Sequence, residues 1–163
     1  MKTEKELLTI VKKVQNLTKS NVILTGSFAL KLYGLLNDFT PHDIDLIVSP
    51  YLTDKDKETF KLLSDVCPSS CPVRDIYSAK VKYQFHIDKV NIDVFTQTID
   101  NYFVYDDVKV NSPINVLKAK ARFNRRKDWQ GVYKVIEAVM NPFKTNYYEK
   151  RKRPYRRFFR ITC

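Results

Sequence analysis

The chain has little cysteine and no long apolar run, and each lack removes a class of protein. Cys67, Cys71 and Cys163 are too few and too scattered for a disulfide framework. Cys67 and Cys71 have no second Cys or His pair nearby to complete a zinc site. No apolar stretch approaches the roughly 20 residues of a membrane span, and the opening MKTEKELLTIVKKV is amphipathic rather than signal-like. The expectation is a cytoplasmic chain with no membrane partner. A P-loop GxxxxGK[ST], a Ser/His/Asp set for nucleophilic catalysis, an internal repeat and a low-complexity linker are all missing.

What is present suits a folded domain: with 163 residues, 44% of them hydrophobic, the chain can bury a real core. Its net charge of +11 is unevenly spread. Residues 112–163 hold 15 Lys and Arg against Asp128, Glu137 and Glu149, while residues 1–111 hold 14 basic and 15 acidic residues. Such asymmetry points to a polyanionic or polyphosphate partner. We therefore divide the chain into a core, 1–111, and a basic helical extension, 112–163, packed on the same domain.

Apolar spacing predicts helices over 3–19, 27–36 and 54–66, and strands over 21–25 and 43–49. Extended runs follow at 73–79, 81–87 and 90–96, the last two joined by a tight Asp88-Lys89 turn that lacks its favoured glycine. Residues 102–110 read as a strand or hairpin, and 114–140 as helix, with a break near 124–127. The lone Trp129 and the repeated Tyr and Phe read mostly as core. The fold class is α/β of the α+β type, a small mixed and partly antiparallel sheet flanked by helices.

The stretch VILTGSFALKLYG…PHDIDLIVSP carries the chemistry. Asp43 and Asp45, at i and i+2 of a strand, share one face about 6.6–7 Å apart, where they repel unless a cation lies between them. In VNIDVFT, Asp93 shares a face with Asn91 and Phe95, so pairing of the two strands brings three carboxylates together. Hard oxygen donors of this kind favour Mg²⁺ or Mn²⁺, and two such ions clamp an in-line displacement at phosphorus. The Gly26-Ser27 turn adds an anion cradle, because glycine lets backbone approach a ligand and the following helix offers free N–H groups.

These residues, GSFALKLYG…DIDLIV…NIDVF, resemble the nucleotidyltransferase superfamily of the DNA polymerase β type. The later stretch INVLKAKARFNRRKDWQGVYKVI is similar to the helical end of the AbiEii-type (abortive-infection toxin) branch, and the resemblance spans residues 21–140. In that branch a Lys, an Ala three residues on, an Arg and then an Arg/Lys-Asp recur, here Lys118, Ala121, Arg125 and Lys127-Asp128. The resemblance implies that 1–111 is a catalytic core using Mg²⁺ or Mn²⁺ and an NTP. Gly26 and Ser27 would bind the β- and γ-phosphates, Asp43 and Asp45 the metals, and Asp93 would orient and deprotonate the attacking hydroxyl. Lys118 would contact the triphosphate, Asp128 would order its helix or the base, and a protein partner such as an antitoxin is implied. Two departures stand out: Gly131 replaces an acid common in the branch, and NDFTPHD lacks the arginine usual before Asp-x-Asp.

The tail Lys144–Arg160 interleaves basic residues, among them Lys150, Arg151, Lys152, Arg153, Arg156 and Arg157, with Tyr and Phe, as a nucleic-acid strand requires. The expected function is transfer of a nucleoside monophosphate from an NTP to a hydroxyl, with RNA such as tRNA favoured as acceptor. The alternatives are an inactive nucleic-acid-binding component of a larger assembly and a minimal DNA polymerase.

Overall fold

The computed structural model describes residues 2–68, 81–99, 101–124 and 126–140. The run expected at 73–79, Arg125 and the basic tail with Lys150, Arg151, Lys152, Arg153, Arg156 and Arg157 lie outside the described residues. The order is α1 (Glu4–Leu17), β1 (Val22–Thr25), α2 (Gly26–Leu32), β2 (Asp43–Val48), α3 (Asp54–Val66), β3 (Val81–Ile87) and β4 (Val90–Thr96). It continues with β5 (Tyr102–Tyr105), β6 (Val108–Asn111), α4 (Pro113–Phe123) and α5 (Arg126–Met140).

Local chemistry sets these boundaries. Thr3 and Glu6 form a reciprocal capping box that satisfies free N–H groups at the start of α1. Leu7, Leu8, Ile10, Val11 and Val14 then recur along one face of α1 and are buried. Thr53 caps α3, and Ser112 followed by Pro113 starts α4. Asn124, at φ 50° in the left-handed region, ends α4 and makes the expected break in the helical region. The β3–β4 turn forms without glycine because Asp88 and Lys89 both take positive φ, 50° and 68°, as a two-residue hairpin turn requires; Asp is among the residues that enter this region more readily.

The strands form one mixed sheet in the order β3-β4-β2-β1-β6-β5. β1–β2, β3–β4 and β5–β6 are antiparallel, while β2–β4 and β1–β6 are parallel. On one face, Leu24, Ile44, Leu46, Phe85, Ile92, Val94 and Val110 join the core with residues of α1, α2 and α3. Phe60 of α3 stacks on Tyr83 at a 5.2 Å centroid distance.

Strand alternation sends Thr25, Asp43, Asp45, Gln84, Asp93 and Asn111 to the opposite face. Ile23 and Ile47 share that face and are also buried, so the polar groups sit beside an apolar floor. The expectation that Trp129 and the Tyr and Phe residues are mostly core holds for Phe28, Phe60 and Phe85 and is corrected for others: Trp129 is 37% exposed, Tyr133 61% and Tyr51 91%. On α5, Asp128 and Val135 turn inward, whereas Trp129, about 100° further round the helix, does not. Its indole N–H instead donates to Asn124 Oδ1 at 2.6 Å. Among the described residues no helix is long and apolar enough to cross a membrane.

Candidate active site

The centre of the site is the junction of β1 and α2. Thr25 ends β1 in extended conformation, and Gly26 follows at φ 70°, in the left-handed region. A Cβ on Gly26 would stand 2.0 Å from Asp45 Oδ2, so the glycine is required twice, by its backbone angle and by the carboxylate pressed against it. Asn111, buried at the end of β6, donates from Nδ2 to Thr25 Oγ1 at 3.1 Å and ties the residue before the turn to the start of α4.

The carboxylates come from β2 and β4. These strands are parallel neighbours with Asp45 directly across from Asp93 and Asp43 across from Asn91. Asp43 is exposed at the start of β2, while Asp45 and Asp93 are half-buried. Burial pushes the Asp45 carboxyl up to about 7, and the charges of Asp43 and Asp93 push the same way against Lys120 and Lys127. Asp93 is also held above the usual carboxylate range, first by burial and then by Asp43, with a hydrogen bond from Gln84 and the charge of Lys127 opposing. Both carboxyls thus hold their protons more tightly than free carboxylates do, through burial first and neighbouring acids second. Among the described residues no group of three or more His, Cys, Asp or Glu is gathered tightly enough to hold a metal ion.

On the other side of Gly26 stands a fixed cation. Lys120, 9% exposed on α4, donates from Nζ to Ser27 Oγ at 3.0 Å and lies 3.4 Å from Oδ1 of buried Asp128. Asp128 reaches this position because α5 folds back on α4 after Asn124. Gly131 leaves space beside the lysine, since a Cβ there would meet its chain at 3.8 Å.

The structure therefore groups Gly26, Ser27, Asp43, Asp45, Asp93 and Asp128 around one junction. Lys118 is not among them. It is exposed on α4, and two residues turn a helix by about 200°, so Lys118 and Lys120 face opposite ways. Sequence reasoning missed Lys120 as the inward lysine. The usable signal was helical phase: Val116, one turn earlier, is buried on the same side as Lys120. Gln84 and Asn111 were also missed, because cross-strand register is not written in local spacing.

No family model and no curated sequence matches the chain. Its fold is similar to that of a crystal structure of a candidate nucleotidyltransferase from Thermotoga maritima. The TM-score is 0.52 at 16% identity, over 82% of this chain and 94% of that one. At this identity the likeness establishes the architecture: the chain has a nucleotidyltransferase fold.

Proposed function

We propose that this chain is a nucleotidyltransferase of the AbiEii-type branch that transfers a nucleoside monophosphate from an NTP to a hydroxyl of RNA, tRNA being the favoured class. The observation that carries this reading is Asp45 opposite Asp93 on parallel strands, with Gly26-Ser27 and Lys120 beside them.

Asp43, Asp45 and Asp93 would hold Mg²⁺ or Mn²⁺. The donor chemistry fits: all are hard carboxylates, and Asp45 and Asp93 both lie above the usual carboxylate range, first through burial and then through neighbouring acids. The acids need not form a closed cage, because Mg²⁺ uses one or two carboxylates and completes its shell with substrate phosphates and water. When bound, the ion supplies charge neutralisation at the phosphate oxygens.

Ser27 and Lys120 bind the β- and γ-phosphates and stabilise the leaving pyrophosphate. The acceptor oxygen bonds to the α-phosphorus. The bridging P–O bond to the β-phosphate breaks with its electron pair on pyrophosphate, and the hydroxyl proton passes to Asp93. Asp93 is suited to accept it by position, directly across β2–β4 from Asp45 and held by Gln84. The basic residues of α4 and α5, including exposed Lys118, Arg122, Arg126 and Lys127, favour a polyanionic acceptor.

Incubation with each labelled NTP, Mg²⁺ and bulk RNA tests the proposal. Label should pass to RNA, and Asp45→Asn should abolish transfer. A nucleic-acid-binding scaffold would instead show salt-sensitive RNA binding untouched by Asp43→Asn and no thermal shift with Mg²⁺–NTP.

A further inference from the structure

We infer that Gln84 is a positioning residue for Asp93, holding its carboxylate for an acceptor hydroxyl that enters from the β3–β4 side of the site; this rests on the reading above. Gln84 lies directly across β3–β4 from Asp93, and its Nε2 donates to Asp93 Oδ1 at 2.7 Å. The bond fixes one carboxylate oxygen and so selects the direction of the other.

The chemistry of the donor matters. An amide holds a carboxylate without neutralising it, whereas Lys or Arg at the same place would form an ion pair and compete with a substrate-borne cation. Asp93 thus keeps its charge while losing rotational freedom. The charges nearest it are Asp43, Asp45 and Lys127, none of which supplies such a fixed neutral donor.

The side of entry follows from sheet order. In-line displacement requires the nucleophile opposite the leaving group. The groups assigned to pyrophosphate, Ser27 and Lys120, stand on the β1 side of Asp45, and Asp93 and Gln84 stand on the β4–β3 side. The hydroxyl therefore meets Asp93 next to Gln84, on the side of Asp45 away from Ser27 and Lys120. Loss of the amide should damage acceptor turnover and leave triphosphate binding alone.

Gln84→Met keeps side-chain length and removes the donor, and Gln84→Glu replaces the donor by a like charge. With bulk tRNA as acceptor, we expect each to lower kcat about 10- to 100-fold, with Glu the worse. Affinity for a non-hydrolysable NTP analogue without divalent cation, followed by thermal shift, should stay within about twofold in Gln84→Met, because Ser27 and Lys120 are not partners of Gln84. Retained turnover, or a parallel loss of analogue binding, would overturn the inference. Crystal structures of the wild type and Gln84→Met decide it without turnover: Asp93 should keep one rotamer in the first and change or split in the second. An unmoved Asp93 in Gln84→Met refutes the positioning role. A moved Asp93 in a chain that transfers no label supports positioning while sinking the transferase reading.

Discussion

Lys120 and Asp128 face each other across the α4–α5 turn, Nζ 3.4 Å from Oδ1, and the same ammonium reaches Ser27 Oγ at 3.0 Å. One buried pair therefore joins the helical extension to the turn after β1. A buried carboxylate deprived of its cation is costly, about 3–5 kcal/mol. Lys120→Met should lower stability in chemical denaturation by about that amount and weaken NTP binding at least about tenfold. Lys120→Met combined with Asp128→Leu should recover much of the stability and none of the NTP binding. Lys118→Met should alter stability by less than about 0.5 kcal/mol, as expected of an exposed position.

Gly26→Ala meets two obstacles. Positive φ costs an alanine about 1–2 kcal/mol, and its Cβ would overlap Asp45 Oδ2, 2.0 Å away. The expected loss is about 3 kcal/mol or more, measured by urea denaturation, together with loss of NTP-induced thermal shift. Gly26→Ala with Asp45→Gly removes every Asp45 side-chain atom that the new Cβ would meet and leaves the backbone strain, so part of the stability should return. Equal instability of the single and double variants would show that contact with Asp45 is not what demands the glycine.

Much of this was legible in the chain because strand alternation and turn chemistry are local. The Asp-x-Asp pattern of Asp43 and Asp45 gave their common face, and VNIDVFT gave that of Asp93. Adjacency of the two strands was a condition the sequence left open, and the β2–β4 pairing supplies it. Lys118 was preferred to Lys120 because resemblance aligned residue types without resolving helical phase in a stretch where Val116 and Leu117 are both apolar. Gln84 was invisible because its role depends on antiparallel register with β4. Trp129 was misread because an aromatic on an amphipathic helix does not announce which flank the body covers.

Asp56 was not singled out in the sequence. It is 1% exposed and accepts hydrogen bonds from the Lys19 and Ser20 amides and from the hydroxyls of Ser20 and Thr53. Burial raises its pKa, but the hydrogen bonds outweigh that and hold it below the usual carboxylate range. Asp56→Ala leaves those donors unsatisfied and should cost about 2–4 kcal/mol in denaturant unfolding. It should leave Mg²⁺–NTP affinity unchanged, since none of its partners belongs to the site. The stability that ionised Asp56 contributes is present above the ordinary carboxylate pKa and lost as pH falls through its depressed value.

Asp45 has the opposite linkage. Its carboxyl is pushed from the ordinary 3.8 up to about 7, by burial first and then by Asp43 and Asp93. Between those values the folded chain holds a proton that the unfolded chain has released, so unfolding becomes easier as pH rises. The stabilising contribution is complete below the ordinary value and gone above about 7; Asp93, shifted in the same direction, adds to it. Thermal unfolding of the ligand-free protein should therefore show a melting temperature about 5 °C lower at pH 8 than at pH 5, equivalent to roughly 2 kcal/mol for a chain of this size. Asp45→Asn carries no titrating proton and should remove most of that slope. Saturating Mg²⁺ and a non-hydrolysable NTP analogue should flatten it as well, because a bound cation favours the ionised carboxylate and lowers its pKa. A slope of the same sign and size in Asp45→Asn would place the repulsion elsewhere and remove the electrostatic reason for a cation between β2 and β4.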